Sequence, residues 1–233
     1  MASIGRALGV PRGTVTYWCR QAATPDRRVT ADRCFRCRAG STGNGSPDDP
    51  AAYAYLLGLY LGDGYLVPSA RVPVLRIACA DAYPRLVDLC ERAMLAVLAN
   101  RVQRVRKEGY VAVQSYGKHW PCLLPQHGPG PKHLRPIVLA EWQRRVVADR
   151  PGDFLRGLFH SDGCRIDNRV RRAGREYSYP RYLFTNRSAD ILGLCRWALD
   201  LLGIAWRMNR PDSLSVARRD AVAALDRHVG PKS

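Results

Sequence analysis

From Ala51 onward the apolar positions alternate between two periods. Spacings of three and four predict helices at 53–62, 83–98, 137–148, 152–161, 189–202 and 219–227. Alternation at every second residue predicts a pair of strands near 71–79 and single strands near 102–107, 110–116, 164–172, 180–186, 204–209 and 213–217. Read in order, each half runs helix, two strands, helix, two strands, helix, and the order occurs twice. A repeat on this scale predicts a pseudo-symmetric α+β body with two equivalent sites. Its halves are expected at 51–150 and 151–233.

Residues 1–20 have a different pattern. Ile4, Leu8, Val10, Val15 and Trp18 are apolar, Gly5 and Gly9 are small, and Pro11 suits the first turn of a second helix. This resembles a DNA-binding helix–turn–helix, with Arg12, Thr14, Thr16 and Tyr17 on the groove-facing helix. The pair starts at Met1, so the supporting helix that usually precedes it is expected to be absent. Residues 21–50, rich in Pro, Gly, Ser, Asp and Arg, are expected to be a linker without a core face.

Composition narrows the partner. The 233 residues carry 37 Lys+Arg against 20 Asp+Glu, a net charge of +17 and a pI near 10.1. A 46% hydrophobic content is ordinary for a globular chain and excludes a disordered polymer or an acidic tail. The best candidate membrane span, Ile191–Trp206, is broken by Arg196 and Asp200, and Arg6 and Arg12 interrupt any signal-peptide core. A soluble cytoplasmic, nucleoid-associated monomer that binds a polyanion is therefore expected. Only Lys107, Lys118, Lys132 and Lys232 are lysines, so arginine dominates the basic set. GC-rich codon usage is the expected source of that bias, and the guanidinium fork suits phosphates and guanine edges.

Most of the eight cysteines stand singly in apolar stretches, and no disulfides are expected. Cys34-Phe35-Arg36-Cys37 is the only CxxC. With Cys19 it offers part of a zinc site, but no fourth ligand lies nearby in sequence, so a free pair is expected. His119, His127 and His133 fit no recognised zinc spacing and are expected to serve polar or DNA-contacting roles.

The chemistry is carried by a string that occurs twice. Leu56-Leu57-Gly58-Leu59-Tyr60-Leu61-Gly62-Asp63-Gly64 is matched by Leu155-Arg156-Gly157-Leu158-Phe159-His160-Ser161-Asp162-Gly163. Each is an apolar helix with small residues four apart, Gly58/Gly62 and Gly157/Ser161, ending in Asp-Gly. The glycine is expected to stop the helix in a left-handed conformation. Flat stripes of small residues let two helices pack closely, which would bring Asp63 and Asp162 together at their ends. Paired carboxylates repel unless a cation neutralises them, and Mg²⁺ or a similar hard divalent ion takes such oxygen ligands.

The double string resembles the paired LAGLIDADG motifs of single-chain, DOD-type homing endonucleases, over about residues 51–230. The resemblance implies two αββαββα repeats with the motif helices at their interface. It also implies a saddle of two four-stranded sheets over double-stranded DNA, and metal-dependent cutting of both strands. The last acidic residue of each motif, the metal ligand in that family, maps to Asp63 and Asp162; the earlier aspartate is replaced by Leu61 and His160. Family enzymes place a basic residue near the scissile phosphate, for which Lys118 and Lys132 are the candidates, with Lys107 weaker and Lys232 set aside as terminal. Arg156, where a small residue is usual, is expected to point outward.

Strand alternation supplies the expected DNA face: Arg165, Asp167, Arg169 and Arg171 opposite Ile166 and Val170; Arg181 and Thr185; Gln114 and Tyr116; Arg104 and Arg106. Two functions compete. One is a metal-dependent, site-specific endonuclease. The other is a non-cleaving DNA-binding regulator on the same scaffold, as in a bacterial sporulation-regulator family that combines the two modules in the opposite order. Retention of both aspartates favours the enzyme, because a pure binder has no need of adjacent repelling carboxylates. An intein is disfavoured by the absence of a nucleophile at residue 1 and of a terminal His-Asn.

Overall fold

The computed structural model describes Ala7, residues 9–11, Val15 and residues 34–38, 45–67, 71–172 and 175–232. Arg12, Thr14, Thr16 and Tyr17 of the expected helix–turn–helix lie outside the described residues, as does Cys19. Gly9 has φ +64°, in the left-handed region that favours glycine.

The elements are α1 (Phe35–Arg38), α2 (Pro50–Asp63), β1 (Gly64–Val67), β2 (Val74–Ala80), α3 (Pro84–Val97), β3 (Gln103–Lys107), β4 (Tyr110–Tyr116), α4 (Trp120–Leu123), α5 (Glu141–Asp149), α6 (Pro151–Asp162), β5 (Gly163–Arg172), β6 (Arg175–Thr185), α7 (Ala189–Leu201), β7 (Arg207–Arg210), β8 (Ser213–Val216) and α8 (Arg219–Val229). The sheets are antiparallel with the same order, β1-β2-β4-β3 and β5-β6-β8-β7. The expected pair of αββαββα repeats is therefore the observed architecture. Helix 137–148 begins later, at Glu141, while α1, β1 and α4 were not read from the sequence.

Helix α2 starts at Pro50, with Asp49 accepting a hydrogen bond from the Ala52 N–H at 2.9 Å. Its residues 53–61 are all buried, so no face is polar. It packs on α6, and the two form the centre of the molecule, flanked by α3 and α5 on one side and α7 and α8 on the other. The small residues explain how close they come. A Cβ on Gly58 would lie 2.8 Å from the Leu158 nitrogen, and one on Gly157 2.9 Å from the Leu59 nitrogen. Backbone thus packs on backbone.

Both helices run straight into the first strand of their sheet. The expectation of left-handed stops does not hold: Gly64 has φ −95° and Gly163 φ −100°, both extended. Glycine is needed for space, since a Cβ at Gly64 would lie 2.6 Å from Tyr60 Cα and one at Gly163 2.7 Å from Phe159 Cα.

The segment expected to be a core-less linker contributes to the core. Phe35 is buried edge-on against Tyr53 and Trp142, at centroid distances of 5.8 and 5.3 Å. Arg36 stacks over the other part of this cluster, 4.9 Å from the Trp142 ring. No helix among the described residues is long and apolar enough to cross a membrane.

Because the obstructing atoms at Gly157 are backbone, Gly157→Ala should cost about 3 kcal/mol of stability in denaturant titration. Gly193→Ala, also inside a helix but with its nearest neighbour 3.7 Å away, should be neutral or stabilising by up to about 1 kcal/mol.

Candidate active site and nucleic-acid interface

The packing of α2 on α6 sets Asp63 and Asp162 side by side at the ends of the two helices. A Cβ on Gly62 would come within 2.9 Å of Asp162 Oδ2. Burial, and then the Asp63 charge, push the Asp162 carboxyl up from 3.8 to about 6. Asn186 Nδ2 donates to Asp162 Oδ2 at 2.7 Å, and Asn186 is itself held because its Oδ1 accepts from the Ser188 N–H at 2.8 Å. Asp81 occupies the corresponding place after β2 and is exposed.

Two lysines close the helix ends. Lys132 Nζ donates to the carbonyls of Tyr60, Leu61 and Gly62 at 2.6, 2.9 and 2.8 Å, using all three ammonium protons. Burial lowers its pKa from 10.5 to about 8, against the opposing pull of Asp162 and Asp63. Lys232 Nζ donates to the carbonyls of Ser161 and Gly163 at 2.8 and 3.3 Å; burial lowers its pKa, and the same two aspartates oppose the shift. Lys232, set aside from sequence as terminal, is the counterpart of Lys132. Lys118 is exposed in the turn before His119 and does not line the cleft formed by Gly62, Tyr65, Lys132, His133, Asp162 and Asn186.

His160 stands where the motif's earlier aspartate is absent, and it is buried. Its Nε2 lies 3.0 Å from the Val229 carbonyl and must donate there, so Nδ1 accepts from Tyr55 OH at 3.0 Å. Burial, and then Arg156, lower its pKa from 6.5 to about 4. It is a neutral tie between the two motif helices and α8. Arg156 is half-buried with its guanidinium 5.4 Å from the Tyr55 ring centroid.

Register divides the predicted DNA residues between two faces. Arg104 pairs across the sheet with Val113, which pairs with Ile77, and both apolar residues are fully buried under the helices. Arg104 therefore lies on the helix side, bonded to Glu91 (Nε to Oε2, 2.6 Å) and to Asp88 at 2.8 Å, and Arg106 shares that face. Arg165 pairs across with buried Tyr182 and makes two bonds to Asp226 of α8, at 2.9 and 3.2 Å. Arg169 and Arg171 share its face and approach Glu176 at 3.6 and 3.7 Å. Arg165 is thus tied on the helix side of the sheet, while Arg169 and Arg171 remain 74% and 86% exposed on the ribbon beyond it.

The open faces hold other residues. On the first sheet, Tyr65, Arg76, Gln114 and Gln103 lie in one cross-strand row. Arg76 Nε donates to Gln114 Oε1 and Gln114 Nε2 to Gln103 Oε1, each at 2.8 Å. Tyr116 shares this face and is exposed. On the second sheet the open face carries Ile166, Tyr177, Tyr179, Arg181 and Thr185, with Arg181 donating to Ser215 Oγ at 3.1 Å. Gln114, Tyr116 and Arg181 lie on these faces, Gln114 buried between its two hydrogen-bond partners. Tyr65, Arg76, Gln103, Tyr177 and Tyr179 were missed, although the parity of buried Ile77 and Val113 points to the first three.

A second cluster lies elsewhere. Cys34 and Cys37 are joined by His119 and Cys122, with the four ligand atoms within 4.8 Å of one another. No further donor was expected near the CxxC in sequence, and the two that join it come from a loop more than eighty positions away. His127 is exposed, and His133 lines the aspartate cleft.

A carboxyl whose folded pKa is raised costs no stability below its ordinary value; the cost accrues as pH rises from the ordinary to the folded value and is constant above it. In EDTA, Asp162→Asn should therefore stabilise the protein by about 1–3 kcal/mol at pH 7.5, with the gain vanishing near pH 4. Thermal melts across that range check the sign.

No family model matches the chain, and no curated protein matches it. Solved structures do. A single-residue variant of I-SmaMI is 10% identical with a TM-score of 0.51, covering 78% of this chain and 85% of its own. The LAGLIDADG meganuclease I-AabMI bound to uncleaved DNA is 10% identical with a TM-score of 0.49, covering 76% and 83%. I-DmoI in complex with DNA and Mn is 15% identical with a TM-score of 0.49, covering 78% and 98%. The I-SmaMI likeness, with the twice-repeated element order and the packed motif helices, gives the chain the fold of the LAGLIDADG homing endonucleases.

Proposed function

We propose that this protein is a site-specific endonuclease that binds double-stranded DNA across its two open sheet faces and cuts both strands with divalent cations held by Asp63 and Asp162. The observation that carries the reading is the meeting of two carboxylates with the ends of two motif helices. Each helix end is negative through its macrodipole, so four sources of negative charge converge. Burial and then the neighbouring Asp63 charge raise the Asp162 carboxyl to about 6, the response of two carboxylates crowded in a partly dry place. The donors are all hard oxygens, which fit Mg²⁺ or a similar ion.

When bound, such an ion supplies Lewis-acid stabilisation of the attacking and leaving oxygens of a phosphodiester. The chain's own groups do the rest. Asn186 orients the Asp162 carboxylate through Oδ2. Lys132 and Lys232 hold the helix ends and set positive charge beside both aspartates, where it offsets a phosphate's charge. The net charge of +17 favours the duplex at long range. Arg76, Gln103, Gln114 and Arg181 offer the groups that read base edges, and Tyr65, Tyr116, Tyr177 and Tyr179 offer flat surfaces beside them.

The test uses DNA selected from a randomised duplex library, assayed for binding and cutting with Mg²⁺ and with Ca²⁺. Asp63→Asn and Asp162→Asn should each lower cutting at least about a hundredfold while binding persists. Wild-type protein that binds tightly and never cuts would make it a regulator instead.

The two sheet faces separate in a second experiment. Arg76→Ala should weaken binding to the selected DNA by about 1–3 kcal/mol and relax the sequence preference under the first sheet. Arg165→Ala should leave affinity and preference unchanged and lower the melting temperature, because its partner is Asp226.

A further inference from the structure

We propose that Cys34, Cys37, His119 and Cys122 form a structural zinc site that staples the chain ahead of the first motif helix to the loop that carries Lys132. The proposal is independent of cleavage. Around tetrahedral zinc, with bonds of about 2.3 Å to sulfur and 2.0 Å to nitrogen, ligand atoms stand roughly 3.5–3.8 Å apart. Here Cys37 Sγ is 3.9 Å from Cys122 Sγ and 3.1 Å from His119 Nδ1, and Cys122 Sγ is 4.0 Å from His119 Nδ1. The sulfur separation is nearly twice a disulfide bond of about 2.05 Å.

The ligands come as two short clips, Cys-x-x-Cys and His-x-x-Cys, each on a single helical turn: α1, where Cys37 N–H and Arg38 N–H both donate to Cys34 O at 2.9 Å, and the start of α4. Three thiolates and one imidazole make a closed, soft donor set that suits zinc and differs from the all-oxygen aspartate pair. Hydrophobic cover is supplied next door by Phe35 on Tyr53 and Trp142.

The site explains a departure from pseudo-symmetry. In the second repeat β8 is followed almost at once by α8, with only residues 217–218 between them. In the first repeat residues 117–140 intervene between β4 and α5. His119 and Cys122 lie at the start of this insertion and Lys132 further along it. Zinc would anchor the insertion at its root and tie it to residues 34–37, so that Lys132 reaches the end of α2.

Elemental analysis of the full chain, purified under reducing conditions without added metal, should give one zinc per molecule. Cobalt substitution should produce thiolate-to-cobalt charge transfer with an intensity for three thiolates, together with tetrahedral ligand-field bands. Cys37→Ser and Cys122→Ser should lose the zinc, whereas Cys164→Ser and Asp63→Asn should retain it. If the cysteine variants do not fold, the wild-type cobalt spectrum decides. Wild-type protein without zinc, a cobalt spectrum without thiolate bands, or a Cys37–Cys122 disulfide by mass spectrometry would overturn the proposal.

Discussion

The contact of one backbone with another at Gly58 and Gly157 is the constraint on which the remaining structure depends. Close packing of this kind has few solutions. The helices can approach only where both present small residues, so their relative position along the axis is set to within a turn. That position determines where Asp63 and Asp162 end up, and the two sheets follow, because each motif helix passes without a loop into β1 or β5. The other helices complete the burial of α2 and α6 but do not choose their register. His160 adds a polar tie from α6 to Tyr55 of α2 and to the Val229 carbonyl, without bringing a charge into the interface.

The same contact creates an electrostatic problem. Two helix C-termini and two carboxylates converge in a partly dry space, where charge is weakly screened. The protein answers with two ammonium groups, each bonded to backbone carbonyls rather than placed in a direct ion pair with an aspartate. The carboxylates are thus offset at short range without being consumed as salt-bridge partners. Burial works against both charges, lowering the pKa of Lys132 and raising that of Asp162. Stability is given up at this place, as at sites that serve function rather than packing.

The fold was legible because its repeat is carried by periodicity. Helices and strands recur in the same order, and the paired Gly-x-x-x-small-Asp-Gly strings place the interface. What sequence could not supply was the side of each sheet. In β5 the apolar Ile166 suggested an inward face, yet the β5–β6 ribbon runs past β8, and Ile166 is 40% exposed on the open side. Of the arginines opposite it, Arg165 is held on the helix side by Asp226, while Arg169 and Arg171 stay exposed beside Glu176 of β6. Register with a buried neighbour, such as Tyr182, decides the face, and that information lies on another strand. Lys232 and the His119–Cys122 pair were missed for a related reason: their partners are distant in sequence, and local composition made them look like a tail and a loop.

The two halves are alike in fold and unlike in detail. Lys132 reaches α2 from an insertion before the last helix of its repeat, whereas Lys232 reaches α6 after the last helix of its own. Equivalent charges therefore arrive by different routes, and only one aspartate has an asparagine partner. The open faces differ more. One presents Tyr65, Arg76, Gln103 and Gln114 in a hydrogen-bonded row; the other presents Ile166, Tyr177, Tyr179 and Arg181, with the two tyrosine rings stacked 6.3 Å apart. Amide and guanidinium groups discriminate among base edges in the major groove, while apolar and aromatic groups respond to thymine methyls and to shape. A duplex laid across both faces would meet different chemistry in its two halves. Under the proposed function, the unequal faces call for a target whose two halves differ in sequence.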